Sequence, residues 1–529
     1  MHKEKFLYKS VYSKNAEVNM WLAFPGIYSF SMSSLGYLWM FKCIDEIKGA
    51  NIERITSDTK NTFLRRENID LYGFSFSFDM DFLTIFYMIE KYGYSLKSEK
   101  RSENQPLIFA GGPVVTSNPL PYSDFFDFFI IGDGEDINLQ IVEIYKQNKG
   151  KPKEIILRRL AELEGIWVPK FGKYNVIKHT KKFEYCIYTP ILSNDAFFKN
   201  TFILEVARGC TNMCGFCLAS YLNLPFRFMD YNELINVIEF GLKHTDKIAL
   251  LGAQISAHPN FKEICNYVYN RIQSGSLIEM SVSSLRVDAI TPEIVKTFTA
   301  AGQKNSTLAI EAGSERLRKV INKNISEEQI FNAVKIAKEN GLKGLKFYGM
   351  LGLPTETKED LEEIIQITRH FKSEFRGFDI SFGFSTFVPK PHTPFQWCER
   401  ERTKSLELKA DFIKKELHKI GVNANVSSIK WDYWQTVLSR GEDNFGDFLI
   451  DVYKKGGKIG AFKTSAKEHH IDTDYYAYTN FDLASELPWD FIKVQRPGKC
   501  FLMEENKRLL DYQPSVMNEL HQAECSRNI

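Results

Sequence analysis

Cys210, Cys214 and Cys217 stand together in the string ARGCTNMCGFC. Thiolates are the usual ligands of iron–sulfur clusters. Three so close in sequence can hold three irons of one cubane, which leaves the fourth iron without a protein ligand and free to bind and activate a small molecule. An open coordination position marks metal sites that do chemistry, whereas structural sites are closed. A zinc knuckle completed by a distant ligand such as His258 is the bland alternative for the same three residues. The other six cysteines, Cys43, Cys186, Cys265, Cys398, Cys500 and Cys525, are scattered along the chain.

The cysteine loop directly follows the apolar run FILEVA, which reads as a strand. Five further strand patterns come after it: KIALLG, IEMSVSS, STLAIEA, GLKFYGML and FDISFGFSTF. Amphipathic helical stretches such as PNFKEICNYVYNRI and SEEQIFNAVKIAKENG separate them. Six consecutive strand–helix units predict a partial (βα)6 barrel of TIM type, with its site at the C-terminal ends of the strands. Upstream, the strands NMWLAFP, IDLYGFSFS, QPLIFAGGP and FDFFIIGDGE alternate with the helices SSLGYLWMFKCIDEI, DFLTIFYMIEKYG and INLQIVEIYKQN. That alternation predicts a doubly wound, Rossmann-like parallel sheet with its ligands beyond the carboxyl ends of the strands. The expected fold class is therefore α/β in four segments. Residues 1–148 form the sheet domain, 149–199 an irregular or β connector, and 200–395 the barrel. Residues 396–529 form a small α+β accessory region whose last dozen residues read as frayed.

Composition narrows the class. The chain has 529 residues, 44% hydrophobic and 25% charged, as in ordinary globular proteins, and that length is enough for two or three domains. A net charge of +2 supplies no overall field toward nucleic acid or membrane. The charged start MHKEKFLYKSVYSKN is not a secretory signal, and no apolar run is long enough for a membrane helix. Nine cysteines at this length are too sparse for a secreted disulfide framework, so a reducing cytoplasm is expected.

The spacing C-x3-C-x2-C, with Phe216 just before the last cysteine, resembles the signature of the radical SAM superfamily. The resemblance implies a 4Fe-4S cluster on Cys210, Cys214 and Cys217, with S-adenosylmethionine chelating the open iron. One electron then cleaves a carbon–sulfur bond to give a 5′-deoxyadenosyl radical that removes a hydrogen atom from an unreactive carbon. GMLGLPTE, from Gly349 to Glu356, resembles the family's fifth-strand pattern. There the resemblance implies that Phe216, Gly349, Gly352 and Glu356 line the adenine. LAIEAGSERLRKVINKN is similar to the fourth strand and its helix, which makes Glu311, Ser314 and Arg318 candidates for the ribose and carboxylate. Arg286, just past the third strand, fits a carboxylate as a bidentate partner; a surface ion pair is its other reading. The chain departs from the family where the second strand ends in Gly252-Ala253-Gln254 rather than Gly-Gly-Glu. Gln254 still accepts a hydrogen bond, but without the charge.

FPGIYSFSMSSLG, AGGPVVTSNPLPYSDFFDFFIIGDGE, VPKPHTPFQW and ELPWD, with the strings above, look like one uncharacterised branch of the cobalamin-binding-domain class of that superfamily, from about Val18 to about Glu504. The resemblance raises cobalamin as a second cofactor. No histidine stands in the first turn, so a cobalamin here has no protein histidine below its cobalt, and GGPVVTS and GDGE are the candidate cradle for its tail. The resemblance also implies an electron donor such as flavodoxin or ferredoxin. His392, close after the last barrel strand, is a candidate to face the substrate; the two prolines around it make a structural turn its equal alternative. Methylthiotransferase relatives carry three further cysteines before the barrel; only Cys43 and Cys186 precede it here. Three rival functions stay open at this level: modification of an RNA base, a cluster-bearing redox sensor without turnover, and a scaffold whose sheet domain recruits a partner.

Overall fold

The computed structural model of the chain describes residues 3–494 and 497–512; Cys525 and the end expected to fray lie outside the described residues. The first sheet contains β1 (Val18–Phe24), β2 (Ala50–Thr56), β3 (Leu71–Ser75), β4 (Leu107–Gly111), β5 (Phe128–Ile130) and β6 (Ile166–Trp167). Their order is β2-β1-β3-β4-β5-β6, with β1 to β5 parallel and β6 antiparallel to β5. The order reverses between β1 and β3, which sets the ligand crevice of such a sheet at the carboxyl ends of those two strands.

Alternation along β1 explains the double winding. Val18, Met20 and Leu22 enter the core beneath the helices α1 (Leu35–Asp45) and α3 (Ile137–Asn148), while Trp21 and Ala23 face the side of α2 (Phe82–Lys91). The edge strand β2 lies outside the sequence expectation. Its run ANIERIT carries Asn51 and Glu53, which hide the apolar signal. Glu53 is nonetheless buried, accepting bonds from the Trp21 indole at 3.1 Å and from the backbone N–H groups of Phe63 and Leu64. The connector is less irregular than expected: it holds a helix at Lys153–Leu160 and contributes β6 to the first sheet.

The barrel strands are β7 (Thr201–Glu205), β8 (Lys247–Leu251), β9 (Glu279–Val282), β10 (Asn305–Glu311), β11 (Gly344–Leu351) and β12 (Asp379–Thr386). All pair in parallel, and a bridge between Leu285 and Leu308 joins β9 to β10. These are the six runs named from the sequence. A seventh parallel strand, β13 (Asn423–Val426), extends the sheet beside β12, so part of the C-terminal region belongs to the barrel. Local signals set the helices. Asp230 caps α4 (Tyr231–Leu242), and Ser326 with Gln329 forms a capping box on α5 (Glu327–Glu339). Outside the barrel, Phe347 of β11 stacks on Phe371 of α6 (Lys358–Glu374), with ring centroids 5.8 Å apart.

The remaining C-terminal residues are mostly helical, including α7 (Thr403–Lys419), α8 (Ile429–Ser439), α9 (Gly446–Lys454), α10 (Ile459–Glu468) and α11 (Lys499–Leu510). Trp434, Phe448 and Phe462 from α8, α9 and α10 share one core with Trp21, Tyr72, Phe82 and Phe86 of the first sheet domain. Asp79 ties the segments together: it accepts from Lys390 Nζ at 2.8 Å, Gln435 Nε2 at 3.1 Å and Ser439 Oγ at 3.1 Å. No helix among the described residues is long and apolar enough to cross a membrane.

Candidate active site

The cysteine loop leaves β7 through Ala207-Arg208 and turns at Gly209. There φ is +89°, and a Cβ would sit 2.6 Å from the Asn223 carbonyl oxygen. The loop tip is pinned from below. Asn322 Nδ2 donates to the carbonyls of Asn212 at 3.1 Å and Met213 at 2.9 Å, and the buried Tyr221 hydroxyl donates to Met213 O at 2.7 Å. Met213 itself adopts φ of +50°, a strained value that these bonds hold in place. Gly215 N donates to Ile321 O at 3.1 Å, and Phe395 N donates to Gly215 O at 3.1 Å. A Cβ on Gly215 would lie 2.9 Å from both Leu509 of α11 and the Phe395 ring. The C-terminal helix therefore packs directly on the loop.

Cys210 and Cys214 are buried and Cys217 is half-buried. Burial pushes the Cys214 thiol up to about 12, against the pull of the nearby Lys323 ammonium, and burial also raises Cys217. Thiols in such surroundings become good ligands when metal cations replace their protons. Lys323 is itself paired with Glu311, at 2.9 Å. Among the described residues no three His, Cys, Asp or Glu side chains converge on a point for a single ion. A cubane asks for something else, since each thiolate meets a different iron. His258 is committed elsewhere: Nε2 lies 2.7 Å from Met229 O, and Nδ1 accepts from Asn260 N at 3.0 Å. The three sulfurs, on one pinned and largely buried loop, fit a cubane.

The strand ends bring most of the sequence candidates to the same mouth. Gln254 Oε1 lies 3.0 Å from Cys210 Sγ and 3.3 Å from Thr211 Oγ1. Gly252 lets Ala207 O approach, and its carbonyl accepts from Ser283 Oγ at 3.1 Å. Phe216 packs with Ala312, Leu317, Met350 and Leu353, so the cysteine loop and the GMLGLPTE segment share an apolar seat. Glu311 ends β10 at φ of +63°, beside a bulge. Arg286 makes a bidentate pair with Asp288, both contacts 2.9 Å, which is the ion-pair reading of that residue.

Three further candidates also have side chains engaged by the protein. Ser314 caps the helix Glu315–Val320 through Leu317 N at 3.0 Å and donates to Asp360. Arg318 is fully buried and donates to the carbonyls of Ile325 (2.6 Å), Ala312 (3.2 Å) and Gly313. Glu356, 1% exposed, accepts from Gly352 N at 3.0 Å and Lys409 Nζ at 2.7 Å. Their direct effect here is to shape the turns that carry the mouth. Gly349 and Gly352 answer to packing. A Cβ at 349 would meet the Phe384 ring at 2.5 Å, and one at 352, where φ is +75°, would meet Leu406 of α7 at 2.6 Å. Gly352→Ala is expected to lower stability by about 1–3 kcal/mol, read as a reduced urea midpoint at unchanged slope.

His392 does not face the barrel mouth. It is buried at φ of +60°, with Nε2 3.1 Å from the Ser117 carbonyl of the first sheet domain, and burial lowers its pKa to about 4. Its backbone N–H donates to Gln396 Oε1 at 2.8 Å, so the two prolines around it frame a structural turn. Asn322, Tyr221, Phe395 and Leu509 are site residues that the sequence did not single out; the last two come from 178 or more positions beyond Cys217 and carry no local signal.

A second cavity, of about 360 Å³, opens at the carboxyl ends of β1, β3, β4 and β5. Leu22, Tyr37, Met40, Phe109 and Ile130 form its apolar wall, and the turns Gly111-Gly112 and Gly132-Asp133-Gly134 its rim. The positive φ of Gly112 and Gly132 serves close approach of the chain's own Phe76 and His179 backbone. Arg208, two residues before Cys210, stands at the same rim. It pairs with Asp133 at 2.9 Å, Glu135 at 2.7 Å and Glu205 at 2.8 Å, and Arg227 reaches the other oxygen of Asp133 at 2.7 Å.

Comparison with known proteins agrees with this geometry. The family model described as "Radical SAM proteins, N-terminal" matches residues 37–169, and that described as "Radical SAM superfamily" matches residues 204–367. An uncharacterized protein of Methanocaldococcus jannaschii, MJ0966, is 33% identical over 397 residues, 73% of this chain and 83% of the relative. The uncharacterized methyltransferase PH0819 of Pyrococcus horikoshii is 25% identical over 303 residues, 54% of this chain and 62% of that protein. In fold, the chain is similar to the cobalamin-dependent S-adenosylmethionine radical enzyme OxsB, solved with aqua-cobalamin and S-adenosylmethionine. That likeness has a TM-score of 0.54 at 14% identity, over 87% of this chain and 71% of OxsB. The motif matches, the barrel with its cysteine loop and the long alignment together place this chain in the radical SAM superfamily, as an enzyme of 4Fe-4S and S-adenosylmethionine chemistry.

Proposed function

We propose that the chain is a cobalamin-using radical SAM enzyme that modifies an unactivated carbon of its substrate by methyl transfer. Cys210, Cys214 and Cys217 are the cluster ligands in this reading. The observation that carries it is the cavity at the switch point of the first sheet, whose rim residue Arg208 lies two positions before Cys210. A cavity with an apolar wall and a polar, glycine-rich rim suits a flat base bearing a phosphate-linked tail. No histidine is among its described lining residues, so a cobalamin bound there would find no imidazole ligand in that lining. When bound, the cluster supplies the electron that cleaves S-adenosylmethionine, and cobalamin supplies a transferable methyl group.

The chain's own groups do the rest. Asn322 and Tyr221 hold the loop, and Phe216 and Leu353 give the cofactor an apolar seat. Gln254 offers an amide oxygen beside Cys210. Leu509 and Phe395 cover the loop, and exclusion of water there protects a reactive radical from side reactions. The relative described as a methyltransferase supports this reading.

The test is anaerobic reconstitution with iron, sulfide and hydroxocobalamin, followed by gel filtration and reduction in the presence of S-adenosylmethionine. Retained cobalamin with a base-off visible spectrum, and S-adenosylhomocysteine among the products, are expected. Protein that elutes free of cobalamin and releases only 5′-deoxyadenosine would rule out the methyl-transfer reading while leaving the radical chemistry.

A further inference from the structure

The inner face of the barrel divides into two unlike halves. On the side of β7 and β8, Ile203 and Ala249 pack against Leu35 and Trp39 of α1 and against Ile187. The first sheet domain thus fills that half with apolar side chains. The half formed by β10, β11 and β12 stays open and polar. Leu345 and Phe347 of β11 point outward into the helical layer, so Lys346 and Tyr348 point inward. Lys346 lies in register between Thr307 and Ser381, and Tyr348 between Ala309 and Gly383. Glycine at 383 is what admits the pair: a Cβ there would lie 3.1 Å from Lys346 Cε and 3.4 Å from the Tyr348 ring. Tyr348 is 41% exposed although it faces the interior, and Lys346 is exposed too.

Charge bookkeeping singles out Lys346. It is the one Lys or Arg within β10, β11 and β12, while beyond those strands Arg286 is paired with Asp288 and Lys323 with Glu311. The Lys346 ammonium has no carboxylate within ion-pair reach among the described residues; its recorded neighbour is the Tyr348 ring, 5.1 Å from Nζ to centroid. An exposed ammonium on this inner wall, with no protein carboxylate beside it, can take its counter-charge from an anionic ligand. Lys346 also sits three residues before Gly349, about 10 Å below the mouth at the usual rise of a strand.

We propose that Lys346 and Tyr348 anchor the substrate of this enzyme by an oxyanion, a carboxylate or a phosphate, at the floor of the open half-barrel. The anchor points the far end of an elongated, singly ended anion up toward the cysteine loop. Lysine is suited to either oxyanion as a point charge, and the Tyr348 hydroxyl adds a neutral donor. The inference rests on the reading of the barrel mouth as the reaction site.

The experiment reads Lys346 directly. Reconstituted protein is treated with formaldehyde and borohydride, and methylation of the Lys346 peptide is timed by mass spectrometry. Inorganic phosphate, succinate or the neutral analogue succinamide is present at equal ionic strength. Phosphate or succinate is expected to slow labelling by about tenfold, the size of one charge-assisted hydrogen bond, and succinamide is expected not to. Which of the two anions protects better assigns the headgroup. Calorimetric binding of the better anion should fall by a similar factor in Lys346→Met and persist in Lys346→Arg. Equal labelling under all three conditions, or equal anion binding by wild type and Lys346→Met, overturns the anchor. Reductive cleavage of S-adenosylmethionine by the same wild-type sample reports separately on the mouth, so the two readings fail by different signals.

Discussion

Cys214→Ala abolishes cluster assembly: after anaerobic reconstitution, iron and acid-labile sulfide should fall to the background of a protein without ligands. Cys214 sits at the centre of the loop, its Sγ 3.9 Å from the Asn322 carbonyl and close enough to the Lys323 ammonium to feel its pull. The loop holds no fourth cysteine to replace it, and both nitrogens of His258 are engaged. A cubane left with two protein ligands loses its hold on the irons that the open site depends on. The fold should survive. Asn322, Tyr221 and the Gly215–Ile321 bond pin the loop without the thiol, and removing one buried sulfur costs about 1–2 kcal/mol. Normal far-ultraviolet circular dichroism with lost iron is the expected pair of results. A variant that keeps its full iron and sulfide would show that the ligand set is wrong.

Asp133→Ala is expected to destabilise the protein by about 3–5 kcal/mol, because it strips a buried carboxylate from between two guanidinium groups. Asp133 bonds Arg208, Arg227 and the backbone N–H of Lys181, the last at 2.9 Å. Arg208 keeps Glu135 and Glu205, whereas Arg227 is left with backbone carbonyls only. Burial alone would raise the Asp133 pKa, but Arg208 and Arg227 outweigh it and hold the carboxyl below its ordinary value. A depressed carboxyl contributes stability that is complete above the unfolded-state value of about 4 and is lost as pH falls through the lower folded value. Wild type should therefore lose this contribution only in strong acid, and the variant should lack it at neutral pH. Denaturant unfolding at pH 7 and at pH 3 checks both statements. A change within about 0.5 kcal/mol at pH 7 would reduce the network to a surface ornament. Since Arg208 directly precedes Gly209 and Cys210, the variant should also shed reconstituted cluster faster than wild type on exposure to a chelator.

The sheet domain and the barrel were legible because their strands are dense in β-branched and aromatic residues and are separated by helices of clear period. β2 escaped because Asn51 and Glu53 break its apolar run, and only the Trp21 indole and two backbone N–H groups make Glu53 a core residue. β13, in the polar string NANV, becomes a strand because the edge of β12 lies open beside it. At the site, the three cysteines stood out by their spacing, while Phe216 was singled out only through the family resemblance. Arg318 and Ser314 show the limit of such reading. Both stand where the family pattern places binding groups, yet their donors meet carbonyls and a carboxylate of their own fold. Position after the last strand left His392 either facing the substrate or held in a structural turn, and packing turned it toward Ser117.

Three thiols within eight residues after a strand point to a metal centre from order alone, since ligand spacing inside one loop is a local property of the chain. What covers that loop, which half of the barrel stays open and which lysine remains without a counter-charge depend on contacts between segments hundreds of residues apart. Leu509 reaches Gly215, Trp39 reaches the inner face of the barrel, and Gly383 makes room for Lys346 only once the strands are in register. Burial and pairing of charge are properties of the packed whole, and the folded structure alone sets them.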